Sequence, residues 1–137
     1  MEKYFGTWKL VDSTNFDQYL QGLGIAYPLR KLALLTSPTM TFKEEGIAGL
    51  YSVTTDARIR SVTTTFHLGE MVEERTVDMR AVSSTFDIDK DDCLVLTSKD
   101  RYGVTSVDTR CVMGNFMQVL MEVKGVTATA NFYRNEQ

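Results

Sequence analysis

Residues Asn15 to Leu35 read as a helical pair that follows a single extended segment, in a chain that otherwise reads as short β-strands. An insertion at that place fits a lid over an open barrel end or sheet, serving either as a plain cover or as a gate for a ligand. In its first half, Phe16, Tyr19, Leu20 and Leu23 fall at spacings of three, four and seven and make one apolar helical face. Asn15 is the expected N-cap, with Asp17 in the first turn. Gly22 and Gly24 should end this helix. The second half restarts at Pro28, where a missing N–H costs least, and runs to Leu35 before Pro38 forbids continuation.

Beyond Pro38 the hydrophobic period changes. Thr39 to Phe42, Gly49 to Thr54, Ser61 to Phe66, Thr76 to Phe86, Cys93 to Leu96, Val104 to Val112, Phe116 to Val123 and Val126 to Phe132 are rich in β-branched and aromatic residues and read as strands. Turn signals separate them: Glu44-Glu45-Gly46, His67-Leu68-Gly69-Glu70, Asp89-Lys90-Asp91-Asp92, Asp100-Arg101-Tyr102-Gly103, Met113-Gly114-Asn115 and Lys124-Gly125. A turn at roughly ten-residue spacing favours consecutive antiparallel hairpins, and no helix-length segment supplies the crossovers of a parallel α/β sheet.

The chain has 137 residues and no linker, repeat or low-complexity segment, so one domain, residues 1–137 with a lid at about 15–36, is expected. A formal charge of −3 gives no electrostatic reason to expect nucleic acid. The first residues, Met1-Glu2-Lys3-Tyr4, lack a basic segment and apolar run of the secretory kind, and no apolar stretch reaches membrane-spanning length. A soluble, cytoplasmic monomer is the expectation. Cys93 and Cys111 show no C-x-x-C spacing, so reduced thiols fit, with a bridge between the two left open.

Catalytic and metal signals are weak. His67, the only histidine, sits at a turn without a nucleophile motif and reads as a solvated residue. Asp87, Asp89, Asp91 and Asp92 lack the helix and terminal glutamate of a calcium loop and read as a hairpin turn. Gly22-Leu23-Gly24 is too short for a phosphate fingerprint. No enzyme activity, cofactor or metal is expected. Met40, Met79, Met113, Met117 and Met121 fall in or near strands and suit either an adaptable lining or ordinary packing.

Gly6-Thr7-Trp8-Lys9-Leu10, Asn15-Phe16-Asp17, Leu23-Gly24, Pro38-Thr39, Phe66-x-Leu68-Gly69-Glu70 and Asp78-x-Arg80-x-Val82 run nearly end to end through the chain. Together they resemble the intracellular lipid-binding proteins, the fatty acid-binding and cellular retinoid-binding proteins of the lipocalin-like superfamily. The stretch from Gly6 to Tyr19 carries most of the specificity, since Gly6-x-Trp8 alone is shared with secreted lipocalins. The resemblance implies an all-β fold: an up-and-down antiparallel barrel of about ten strands, capped by a helix-turn-helix lid, with a lipid cavity inside. It implies binding and transport of a long-chain fatty acid or similar hydrophobic ligand. A carrier of a retinoid or neutral lipid, or a membrane-surface structural protein using Arg30 and Lys31, is the alternative.

Carried over residue by residue, the resemblance puts Phe16, Leu20, Leu23, Ile25, Leu29, Leu32 and Ala33 under the lid, with Pro38 and Met40 starting the wall beneath it. Ile59 takes the place of a portal phenylalanine, between Arg58 and Arg60, and Asp78 and Arg80 belong to the ligand set. Fatty acid binders of the family hold the carboxylate with an arginine on the eighth strand and an Arg-x-Tyr on the tenth. Arg110 matches the first; Ala130 and Phe132 stand at the other two, and a shifted alignment would offer Asn131 and Tyr133 instead. In the last strand Val126, Ala128, Ala130 and Phe132 form the apolar, inward set.

Asp108 lies two residues before Arg110, on the same sheet face with Cα atoms about 6.5 to 7 Å apart. Opposite charges about 6 Å apart attract by about 3 kcal/mol at an effective dielectric near 20, before desolvation. Two readings follow: a structural pair in a water-filled cavity, or an arginine that orients a lipid head group directly or through water.

Overall fold

The computed structural model describes residues 1–58 and 60–135. A short 3₁₀ turn, Glu2–Tyr4, leads into β1, Gly6–Thr14. Two helices follow, α1 at Phe16–Gly22 and α2 at Tyr27–Leu34. The strands are then β2 Thr39–Glu44, β3 Tyr51–Ala57, β4 Arg60–Phe66, β5 Met71–Arg75, β6 Ala81–Ile88, β7 Leu94–Asp100, β8 Thr105–Met113, β9 Phe116–Val123 and β10 Val126–Arg134.

All ladders are antiparallel, and the sheet order β4-β3-β2-β1-β10-β9-β8-β7-β6-β5 joins the first strand to the last. The result is the expected ten-stranded, lid-capped up-and-down barrel, nearly closed. Its edges are β4 and β5, which share no backbone ladder and are bridged by a side chain: the Thr64 hydroxyl donates to a Glu74 carboxylate oxygen at 2.6 Å. Beneath them Phe66 of β4 stacks on Phe86 of β6 with ring centroids 3.8 Å apart, which closes the interior where the backbone does not.

One end of the barrel is packed solid. Tyr4, Trp8, Phe42, Phe66, Phe86, Leu94 and Met117 are fully buried there. The Tyr4 hydroxyl accepts a hydrogen bond from the Leu94 N–H at 2.9 Å and lies within donating distance of the Arg110 and Asp92 carbonyls, at 2.9 and 3.0 Å. It stands in for a ladder bond between β7 and β8. Arg134 covers the same end, its guanidinium 4.2 Å from the Trp8 ring centroid while donating to the Lys3 and Phe5 carbonyls. Gly6 is held at φ +115°, and a Cβ there would come within 3.2 Å of Arg134 Nη1.

Several sequence expectations need correction. Thr76 to Phe86 is not one strand: Thr76 to Arg80 form a turn in which Met79 has φ 72°, and the strand before it is the charged β5. Asn15 does not cap α1 with its side chain; it sits at φ 62° and donates to the Thr127 carbonyl at 2.8 Å, so it ties the lid to β10. Gly22 is the last residue of α1, and a Cβ there would lie 2.8 Å from Val123 Cγ1. Its smallness therefore serves a close approach of helix to barrel, while Gly24, at φ +86°, makes the turn between helices. Cys93 and Cys111 form a disulfide, because pairing Leu94 with Arg110 sets Cys93, immediately before β7, opposite Cys111 of β8. No helix among the described residues is long and apolar enough to cross a membrane.

Candidate functional site

The other end of the barrel is hollow. A cavity of about 350 Å³ lies between the lid and the upper strands, joined by its lining to a second of about 140 Å³ toward the β4–β5 edge. Tyr19, Arg80, Asp108 and Arg110 line both.

The lid makes its roof. Tyr19, Leu20, Leu23 and Ile25 are buried, and Phe16 lies over Tyr19 with the rings nearly parallel, 6.3 Å apart. The helices are clipped together by Arg30, which pairs with Asp17 at 3.0 Å and donates to the Ile25 carbonyl at 2.9 Å. Arg30 is thus a structural clamp rather than the free surface cation a membrane-contact reading assigns to it. In α2 no residue is fully buried; Leu29, Leu32 and Ala33 reach the cavity from a helix that is otherwise open to solvent.

The walls supply the remaining expected positions. Pro38 and Met40 line the cavity from β2 and its approach, and Ala130 and Phe132 from β10, both buried. Tyr133 is half exposed and packs on Phe116 outside, so the unshifted alignment holds and Ala130 and Phe132 are the inward residues. Asp78 and Arg80 both reach the lining but are already joined, Arg80 Nε to Asp78 Oδ2 at 2.6 Å. Thus the cavity collects Phe16, Leu20, Leu23, Ile25, Leu29, Ala33, Pro38, Met40, Asp78, Arg80, Asp108, Arg110, Ala130 and Phe132. Ile59 lies outside the described residues. Of the methionines, Met40 and Met121 line the cavity, Met117 packs in the solid end, and Met79 and Met113 are exposed at turns.

The polar centre departs most from expectation. Asp108 and Arg110 form no ion pair. Asp108 instead accepts a hydrogen bond from the Tyr19 hydroxyl at 2.9 Å, across from β8 to α1. Burial pushes the Asp108 carboxyl above the usual carboxylate range, and the charges of Arg110 and Arg80 with the Tyr19 bond only partly oppose this. Burial and the Asp108 charge push the Tyr19 phenol upward, so it stays a donor. Arg110 is only 8% exposed, and its Nε and Nη1 have no hydrogen-bond partner among the described residues; Nη2 merely approaches the Met40 sulfur at 3.8 Å. A buried guanidinium with two idle donors is a site that requires an acceptor.

Sequence reasoning left out Leu10, Ser13, Tyr19, Leu34, Thr36, Thr55, Ala57, Val77 and Val119 from the lining, and left Met121 open between lining and packing. Tyr19 had a visible signal, its place on the apolar face of α1, but its hydroxyl needed a partner 89 residues away. Val119 and Met121 follow from strict alternation in β9, whose buried positions recur at every second residue.

Comparison with known proteins agrees with this architecture. The model of the "Lipocalin / cytosolic fatty-acid binding protein family" matches residues 5–125. A fatty acid-binding protein of Schistosoma japonicum is 32% identical over 134 residues, covering 98% of this chain and 99% of its own. One of Clonorchis sinensis is 33% identical over 135 residues, covering 98% of this chain and all of its own. Among solved structures, the Schistosoma mansoni fatty acid-binding protein in complex with arachidonic acid superposes with a TM-score of 0.92 at 32% identity, covering 99% of this chain and 98% of that one. The match over residues 5–125, together with relatives this similar along almost their whole length, shows that this chain belongs to the lipocalin and cytosolic fatty-acid binding protein family.

Proposed function

We propose that this chain binds a long-chain fatty acid or a closely similar lipid in its internal cavity and carries it in the cytosol without changing it chemically. The observation that supports this most is the lidded cavity of about 350 Å³, within the size range of small-molecule sites, with apolar walls and one buried, unpaired arginine. Relatives named as fatty acid-binding proteins, one of them solved with arachidonic acid, support the ligand class. About fourteen methylenes at about 0.8 kcal/mol each supply on the order of 11 kcal/mol gross. Ordering of the chain and lid reduces this to a dissociation constant roughly between nanomolar and micromolar.

Delipidated protein titrated with fluorescent fatty acids, and with retinol as a competitor, tests the reading. Saturable one-site binding displaced by oleate is expected. Displacement by retinol but not by oleate would assign the cavity to a retinoid, and an intact fold that binds neither would end the carrier reading.

The lid also supports a passing contact with bilayers. Tyr27, Leu29, Leu32, Leu34 and Leu35 are all at least 43% exposed on and just after α2. Ligand transfer to acceptor vesicles should speed up with vesicle concentration; a rate independent of it would mean that ligand leaves through water.

A further inference from the structure

We propose that the polar end of this cavity, taken as a lipid site, selects a neutral head group carrying both a carbonyl acceptor and an N–H or O–H donor: a fatty amide, or a fatty acid that keeps its proton. The acceptor goes to Arg110 and the donor to Asp108. Arg110 offers Nε and Nη1 from a buried position with no partner of their own. Asp108 has its Oδ1 engaged by the Tyr19 hydroxyl, and among the described residues no hydrogen bond reaches its Oδ2. The two side chains stand on the same face of β8 and form no ion pair with each other, so an amide's oxygen and nitrogen can address Arg110 and Asp108 separately, each through its own hydrogen bond.

The charge balance of the cavity argues in the same direction. The charged residues lining the larger cavity are Asp78, Arg80, Asp108 and Arg110; Asp78 and Arg80 neutralise each other at 2.6 Å, and the smaller cavity adds Glu74 and Arg75, which are of opposite sign. What remains is one carboxylate and one guanidinium. A bare fatty carboxylate would bring a second anion beside Asp108 into a space shielded from water, with Ala130 and Phe132 where a further cation would be needed. A neutral donor-acceptor head group keeps the balance and leaves neither Arg110 nor Asp108 unsatisfied. The groups facing Asp108 are Tyr19 from α1, Arg110 from β8, Arg80 from the turn before β6 and Glu74 from β5. Burial already raises the affinity of Asp108 for a proton, which a bound acid would share.

The test measures oleamide, oleate and methyl oleate by calorimetry at about pH 6 and about pH 8. Methyl oleate keeps the carbonyl and lacks the donor, so its comparison with oleamide isolates Asp108. Oleamide is expected to bind about tenfold more tightly than methyl oleate at both pH values, and oleate to weaken as pH rises. In Asp108→Leu the amide advantage should disappear and oleate at about pH 8 should tighten. A labelled oleate carboxyl, followed by NMR in the unmodified protein, should hold its proton well above the usual carboxylate range. Equal binding of amide and ester, an unchanged ratio in Asp108→Leu, or a bound carboxyl that ionises as it does in water would each overturn the proposal. Methyl oleate reports on the cavity alone: failure of all three lipids would refute the fatty acid reading of the cavity, whereas equal binding of all three would refute only this one.

Discussion

Reduction of the Cys93–Cys111 disulfide should lower the melting temperature by about 11 °C. The bridge closes a loop of sequence separation 18, and removing that constraint returns about 3 kcal/mol of chain entropy to the unfolded state. For a chain of 137 residues the unfolding entropy is about 0.29 kcal/mol per kelvin, which converts the free energy into the stated shift. The folded state loses little. Leu94 and Arg110 remain paired in the ladder, and the Tyr4 hydroxyl still joins the Leu94 N–H to the Arg110 carbonyl. Calorimetric scans with and without a phosphine reductant, with thiols counted in each sample, measure the shift, and a Cys93→Ala/Cys111→Ala variant should reproduce it. Oleate affinity well below the melting range should change by less than about twofold, since the effect lies in the unfolded chain. Reduced protein that melts within about 2 °C of the oxidised form would refute the entropic account. A large loss of affinity would show instead that the bridge positions Arg110.

Three further outcomes follow from the site. Gly22→Val should push α1 away from Val123, from which even a Cβ would be only 2.8 Å distant, and raise the ligand dissociation rate severalfold in stopped-flow displacement; an unchanged rate would mean that ligand leaves without moving α1. Arg110→Leu removes a buried cation with two idle donors, so ligand-free protein should gain about 1 to 3 kcal/mol in urea unfolding while oleate binds more weakly; loss of stability would show that Arg110 supports the empty barrel. Because the Asp108 carboxyl is raised on folding, its stabilising contribution is present below the usual carboxylate pKa and is lost as pH rises through the folded value, so the stability advantage of Asp108→Asn should grow from about pH 4 to about pH 8; a pH-independent difference would refute that sign.

Much of the barrel was legible in local pattern, because hydrophobic period distinguishes helix from strand without tertiary information. The lid helices lie within residues 15–35, and β9 is Phe116–Val123 as read from its alternation. Reading failed where side chains or distant pairing replaced the pattern. The charged β5 carries Glu73, Glu74 and Arg75 because it is a sheet edge, which hides its alternation. The turn at Thr76 to Arg80 is held by the Thr76 hydroxyl and the Asp78 carboxylate, with no glycine or proline to announce it. At the site, the spacing of Asp108 and Arg110 correctly put both on one face but suggested an ion pair, whereas the anion is held by Tyr19. Only the docking of α1 on the barrel brings that phenol within reach. The disulfide likewise depends on register, since nothing in a separation of 18 residues says that two cysteines lie on adjacent strands.

The division of the interior explains why one fold can be both rigid and receptive. Empty volume reduces stability through lost contacts, so a cavity of this size needs a compensating source elsewhere. The barrel concentrates that source at the opposite end, where Trp8, Phe42, Phe66, Phe86 and Met117 are fully buried, Tyr4 completes the β7–β8 ladder and the disulfide adds its constraint. The hollow end can then keep a thin roof. Helix α1 is anchored by Tyr19, Leu20 and Asn15, whereas α2 has no fully buried residue and is the part of the lid with least to lose on opening. A bound lipid would reverse that imbalance by supplying contacts to Leu29, Leu32 and Ala33 from below, and its binding free energy adds directly to the stability of the folded state. In a reducing compartment the disulfide term disappears, and the ligand becomes correspondingly more important for keeping the barrel folded.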